Sequence, residues 1–406
     1  MTLDLDHVRN QFPALGDGWA YFDNAGGSQV LKSVAERISD YLLTTNVQTG
    51  ASYETSRRAT ERLAEARARI SLLFNARRAE EVVFGASTTM LLRLLATAMA
   101  GSLAPGDEIV VTEFDHESNI GPWVGLRERG VVVKFWPLNK QTLTPDLADL
   151  EPLMSPRTRL VCVTHASNIL GTINPIREIA DFVHRHGARV CVDGVAYAPH
   201  RAIDVQALDC DYYVFSLYKT YGPHLAVLYG KYDHLLELDG LYHYFYGRDK
   251  VPMKLEPGNP AYELAWGSAA IVDYLEELGG TSGRASVETA FQAVTQQEVA
   301  LAEHLLAYLR DRNTVRIIGD SRSDGAVRVP TVSFLVEGAD PFALIASTDA
   351  QRIGIRHGDF HSRRLVEALG LPAQNIVRAS LVHYNTLEEV DRFIDVLDRV
   401  VSSDAA

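Results

Sequence analysis

The amino-acid sequence predicts an α/β protein: a mostly parallel sheet covered by helices on both faces, with a smaller C-terminal α+β domain. Three observations predict it. Short β-rich apolar runs alternate with helix-period segments up to about residue 230, and the pattern changes to one long helical stretch from about residue 284. The chain's 406 residues also exceed one ordinary core, so two domains are expected.

The strand-like runs are, in order, "RAEEVVFGAS", "GDEIVVTEFD", "VVVKFWPL", "TRLVCVTHAS", "ARVCVDGVA" and "CDYYVFSLYK", with "LAVLYG" following a Gly-Pro turn. They are short and rich in Val, Phe and Tyr. Between several of them lie helical patterns such as "MLLRLLATAMAG" and "IREIADFVHRHG", the latter closing on a C-cap glycine. Beyond residue 284 come the long helix "ASVETAFQAVTQQEVALAEHLLAYLRDR", the shorter strands "RVPTVSFLVEG" and "NIVRASLVHY", and a final helix, "TLEEVDRFIDVLDRVV". The expected division puts residues 20–260 in the large domain and 1–19 with 261–406 in the small one. With no repeats and no Pro/Gly/Ser-rich linker, the two should pack closely.

Composition narrows the function. Hydrophobic content of 47% and charged content of 22% are those of a soluble globular protein. A formal charge of -13 argues against a nucleic-acid or anionic-membrane partner. The N-terminus "MTLDLDHVRNQF" has no basic or apolar leader region, and no apolar stretch is long enough to span a bilayer. Cys162, Cys191 and Cys210 lie in apolar, strand-like contexts and read as reduced core thiols, which suits a cytoplasmic protein.

In an open α/β sheet, ligands bind beyond the carboxyl ends of the strands. The polar residues there are Ser87, Thr88 and Thr89 after "VVFGA", His116 after "IVVTEFD", Asn168 after "VCVTHAS", Asp193 ending "RVCVD", and Lys219 after "YYVFS". Singly, Asp193 reads as a turn former, His116 as a loop histidine, the Ser-Thr-Thr run as a helix cap and Lys219 as a strand-end residue. Together they are complementary. A lysine held in an apolar setting tends to lose its proton and can then form a Schiff base. A carboxylate beside it can hold a pyridine nitrogen protonated, an imidazole can stack on a ring, and a helix N-terminus with hydroxyls can hold a phosphate. One ligand needs all of these: pyridoxal 5′-phosphate, with Lys219 as its Schiff-base lysine and Asn168 near its phenolate oxygen.

The stretches "YFDNAGGSQ", "FDHESNIGPW", "THASNILGTINP", "VDGVAYAPH", "DVQALDCDYYVFSLYKTYGP" and "VRASLVHYNTLEEVD" resemble, in order and spacing, those of class V aminotransferase-fold enzymes. That group includes cysteine desulfurases, selenocysteine lyases and isopenicillin N epimerases. The resemblance covers about residues 10–400 and is closest to desulfurase-like proteins with "YK" in place of "HK" at the lysine. It implies a fold-type I pyridoxal-phosphate enzyme with a seven-stranded sheet. It further implies phosphate ligands at Thr88, Thr89 and Ser216, with Tyr218 beside the lysine. Arg378 matches the arginine that grips the substrate carboxylate, and Arg356 a second active-site arginine. A homodimer is implied in which Asn259, in "EPGNP", completes the partner's phosphate site.

Departures from the family pattern carry information too. The desulfurases' persulfide-forming cysteine lies in an "RxGHHC" loop, which here reads "RHGDFH", with His361 at the cysteine position. Tyr218 replaces a histidine, Ala196 a glutamine that contacts the phenolate oxygen, and Met90 an acidic residue. The cofactor is thus expected to be retained and the sulfur chemistry lost. The expected activity is chemistry at the α- or β-carbon of an amino acid: transamination, elimination, racemisation or aldol-type reaction. The alternatives are a cysteine desulfurase or C–S lyase using a cysteine from elsewhere in the chain, and a non-catalytic pyridoxal-phosphate-binding regulator.

Overall fold

The computed structural model describes residues 3–403. A seven-stranded sheet runs, edge to edge, through Val82–Gly85, Ala226–Gly230, Tyr212–Ser216, Arg189–Asp193, Thr158–Thr164, Glu108–Thr112 and Val132–Trp136. Ala226–Gly230 is antiparallel to both neighbours and every other pairing is parallel. Helices cover both faces, as the unbroken apolar runs require, because alternate residues then face two separate cores. Val161, Val163, Val190, Val192, Tyr213 and Phe215 face one core; Leu160, Cys162, Cys191, Tyr212 and Val214 face the other. Thr88–Met99 packs on the second face. Glu54–Phe74, Ile176–Arg185 and Tyr262–Gly279 lie on the first.

A smaller antiparallel sheet follows, ordered Arg356–His357, Val377–Ser380, Thr331–Val336 and Val315–Ile318. Its core takes Leu301 to Leu309 from the second half of the helix Arg284–Arg310, together with Ala20 and Phe22 from the N-terminal segment. The first half of Arg284–Arg310 packs into the core of the large sheet, together with the separate helix Tyr262–Gly279 and the N-terminal Val8, Phe12 and Leu15. One helix therefore belongs to both cores, which ties the small sheet rigidly to the large one.

The N-terminal segment crosses between the sheets. Ala20 and Tyr21 pair in parallel with Ile353 and Gly354, and Asp23 bridges to Ser380. This brings residues from the two ends of the chain to the carboxyl ends of the large-sheet strands. No helix among the described residues is long and apolar enough to cross a membrane.

Candidate active site

The carboxyl ends of the parallel strands line a pocket with about 530 Å³ of empty space, part of it open to solvent. Ser87, Thr88, Thr89, His116, Asn168, Asp193, Ser216, Tyr218 and Lys219 all line it, joined by Ser118 and Thr164, which the sequence reading did not single out. Ala196 also forms part of the wall, whereas Met90 is exposed.

Lys219 ends a short 3₁₀ turn, Leu217–Lys219, directly after Tyr212–Ser216. The packed strands remove bulk water from its amine, and Arg378 adds a like charge; Asp193 and Asp23 oppose them. The net effect lowers its pKa to about 8. Asp193 is buried, and its Oδ1 accepts the Val195 backbone N–H at 2.9 Å. Burial raises its pKa to about 6 against that hydrogen bond and the charge of Lys219. The carboxylate is thus ionised at neutral pH and set among apolar strands, where it can hold a proton on a partner nitrogen.

His116 caps the turn Glu117–Asn119, its Nδ1 accepting the Ser118 backbone N–H at 3.1 Å. Only an unprotonated Nδ1 can accept, and desolvation, with the nearby charges of Lys219 and Arg378, lowers its pKa to about 3. The ring is therefore a neutral aromatic plate. At the helix end of the pocket, Ser87 is the N-cap of Thr88–Met99, its Oγ accepting from the Met90 N–H at 3.2 Å. The Thr88 and Ser216 hydroxyls lie 2.8 Å apart, and those of Thr89 and Ser118 lie 2.6 Å apart. The first amides of a helix have no intrahelical acceptor and point outward with positive potential. Hydroxyls and amides gathered there suit a dianionic phosphate. The Tyr218 ring stacks on His224, centroids 4.9 Å apart.

The remaining predicted residues surround this cavity. Asn168 is committed to the loop after Arg356–His357: its Nδ2 donates to the Phe360 carbonyl at 2.9 Å and its Oδ1 accepts from the Ser362 hydroxyl at 2.8 Å. The second hydrogen of Nδ2 remains for a ligand. His361 is exposed on that loop, its ring 5.4 Å from that of His116. Arg378 is buried, with its guanidinium 3.9 Å from the Phe360 ring centroid, while Arg356 is exposed. Both arginines bind one carboxylate, Asp23, at 3.0 Å and 2.8 Å. Asn259 does not join the cavity; it lines a separate, more apolar groove with Met90, His224 and Pro260.

Asp23 and Phe360, which sit against Arg378, were not singled out from the sequence. The motif "YFDNAGG" contained the first signal, but its partner Arg378 lies 355 positions away. Phe360 could have been suspected only from its place between Arg356 and His361.

The donor set fits pyridoxal 5′-phosphate group by group: an amine of lowered pKa, a buried carboxylate, a neutral aromatic plate and a hydroxyl-lined helix N-terminus. Comparison with known proteins agrees. The family model "Aminotransferase class-V" matches residues 20–393. The chain is 44% identical to the aminotransferase-like protein FGM3 of Gibberella zeae, covering 98% of this chain and 99% of that protein. It is 36% identical to the cysteine desulfurase-like protein ustD of Aspergillus flavus, covering 99% and 92%. Among solved structures it superposes on the cysteine desulfurase CsdA of Escherichia coli, in an S-sulfonic acid form, with a TM-score of 0.86 and 28% identity, covering 99% of this chain and 100% of that one. The chain belongs to the class V aminotransferase family and is a pyridoxal 5′-phosphate-dependent enzyme of amino-acid chemistry.

Proposed function

We propose that this enzyme acts at the α- or β-carbon of an amino acid without a persulfide-forming cysteine. The observation that carries this reading is the placement of the cysteines. Cys162, Cys191 and Cys210 are fully buried in the sheet core, where desolvation raises the thiols of Cys162 and Cys210 well above their usual range. A sulfur acceptor must be an accessible thiolate. His361 takes the position where the family pattern has one, and an imidazole cannot carry a persulfide.

In this reading Lys219 would hold the cofactor's carbonyl carbon, Asp193 would pair with its ring nitrogen and His116 would cover a ring face. Ser87, Thr88, Thr89 and Ser216 would hold its phosphate and Asn168 would serve its ring oxygen, while Tyr218 walls the pocket. Bound there, the cofactor supplies an electron sink for the pair left behind when a substrate bond breaks. The protein's own groups do the rest. Arg378 fixes the substrate carboxylate, Arg356 and His361 border its side chain, and Lys219 takes up and returns a proton. With a pKa near 8, its neutral form is accessible around neutral pH.

We further propose a cytoplasmic homodimer in which Asn259 completes the phosphate site of a second copy. The separation of Asn259 from its own chain's cavity supports that arrangement. So does the exposure of Tyr244 and Phe245 on the preceding loop.

The decisive experiment incubates the holoenzyme with individual amino acids, follows the cofactor absorbance and identifies products by mass spectrometry. Turnover of at least one amino acid to a product other than alanine plus sulfur supports the reading. Turnover of cysteine alone, with persulfide, returns the protein to the desulfurases, and inertness across the whole panel favours a binding protein.

A further inference from the structure

We infer that Asp23 is a built-in counter-ion that competes with incoming carboxylates for Arg378 and so sets the affinity a carboxylate needs to enter the site. The inference rests on the reading of Arg378 as the substrate-carboxylate anchor.

Arg378 is 3% exposed, so each of its N–H groups needs an acceptor within the protein or from a ligand. Nη1 donates to the Asn168 carbonyl at 3.2 Å, and Nη2 donates to Asp23 Oδ1 at 3.0 Å. Nε finds no acceptor among the described residues. Nε and Nη2 form one edge of the guanidinium, the edge a carboxylate grips with two parallel hydrogen bonds. Asp23 occupies half of that edge and leaves the other half open. Its second oxygen is turned away, to Arg356 Nη2 at 2.8 Å.

A buried, unpaired N–H on a charged group is costly, and a bidentate carboxylate removes that cost. To do so it must take Nη2 from Asp23. Asp23 can yield without being stranded, because Arg356 is exposed and remains its partner. The backbone of Asp23 does not need to move: it is pinned by the bridge to Ser380 and by a tight turn in which a Cβ on Gly26 would lie 2.7 Å from Oδ2. Exchange is therefore a side-chain event at a fixed backbone. Every carboxylate meets this competition, but an amino acid is held at its amine end as well. A simple carboxylate has no second hold, so the penalty that Asp23 sets for all carboxylates alike leaves it with little net affinity, while an amino acid still binds.

Propionate, which has no amine, is the probe. Its affinity for the holoenzyme is measured by calorimetry and as competitive inhibition of amino-acid turnover. Asp23→Asn removes the competing charge and should tighten propionate binding about tenfold or more, while Arg378→Ala abolishes it. Unchanged or weaker binding in Asp23→Asn, with Arg378→Ala still abolishing it, overturns this inference and leaves the anchor reading standing. Propionate binding that survives Arg378→Ala overturns the anchor reading itself. Arg356→Gln lies on the surface and guards against a misfolded Asp23 variant. Asp23 then has Arg378 as its sole partner, so propionate should bind several-fold more weakly, and unchanged or tighter binding overturns the inference.

Discussion

The Oδ1 of Asn168 accepts a hydrogen bond from the hydroxyl of Ser362 at 2.8 Å, joining residues 194 positions apart. With the Asn168 Nδ2 bond to the Phe360 carbonyl, this fastens the 359–362 loop to the end of the strand Thr158–Thr164. The Glu117 N–H, which donates to the His361 carbonyl at 2.8 Å, fastens it again. Phe360 in turn supports the Arg378 guanidinium. Asn168→Ala should release both side-chain bonds, a loss of about 1–3 kcal/mol locally. Backbone amides at residues 360–362 should exchange with deuterium at least about tenfold faster. Unchanged protection would mean that Asp359 and Glu117 hold the loop without Asn168.

Lys219 yields a prediction about pH. Its pKa of about 8 lies below the ordinary lysine value near 10.4. Below pH 8 the amine is mostly protonated and unreactive. Capture of pyridoxal 5′-phosphate by apoprotein, followed by absorbance, should therefore slow about tenfold per pH unit below 8 and level off above it. Stability follows the same proton. The folded apoprotein binds fewer protons than the unfolded chain between about pH 8 and 10.5, so its stability should rise across that window. Borohydride reduction should fix the cofactor to the "SLYKTYGP" peptide, and Lys219→Ala should lose the label. A label on Lys250 or Lys254 would remove Lys219 from its role.

Asp193 should show function opposing stability. Its folded pKa of about 6 is above that of an ordinary aspartate, so ionising it costs the fold stability as pH rises from about 4 to 6. At neutral pH the apoprotein bears that cost in full, on the order of 2–3 kcal/mol. Asp193→Asn keeps the shape and the Val195 hydrogen bond but not the charge. The apo variant should melt several degrees higher than wild type by calorimetry at pH 7. Turnover should fall on the order of 10²–10³-fold, as for other lost charge-stabilising groups. A variant that melts lower, or that keeps full turnover, contradicts this account.

The fold and the cavity were legible in the sequence for a common reason. A strand buried on both faces must be a continuous apolar run, and the first polar residue after it necessarily lies at the sheet's edge. "VCVTHASN" and "YYVFSLYK" carry both signals within a few residues, so Asn168 and Lys219 could be placed beside one another before any contact was known. What could not be read is what depends on pairing across the chain. Asp23 meets Arg378 only because the N-terminal segment crosses to the small sheet, and nothing local marks that crossing. The helices Glu54–Phe74 and Tyr262–Gly279 were likewise not picked out. The first is crowded with charge outside one apolar stripe. The second belongs to the large-sheet core although it follows residue 260. Asn168 shows the limit at a single residue: its position was readable, but its two bonds to a loop nearly 200 residues away were not.

The last prediction is that restoring a thiol does not restore sulfur transfer. In a desulfurase-type mechanism the cysteine loop must carry its sulfur to the substrate and away again. Here Phe360 and His361 both adopt left-handed backbone conformations, with φ of 50° and 59°. The loop is also held by Asn168, by Glu117 and by Asp359, whose Oδ1 accepts the His361 N–H at 3.1 Å. His361→Cys would place a thiol on a clamped loop, facing His116 and not free to travel. The variant given cysteine should release no more sulfide than wild type, and wild type should acquire no persulfide mass on any peptide. His361→Gly tests the clamp separately: left-handed geometry costs a non-glycine residue about 1 kcal/mol, so glycine should raise the melting temperature slightly. If His361 also positions a substrate group, the same variant should turn over its amino acid more slowly. A stoichiometric persulfide on Cys162, Cys191 or Cys210 during turnover would require the sheet core to open, and would overturn the proposed chemistry.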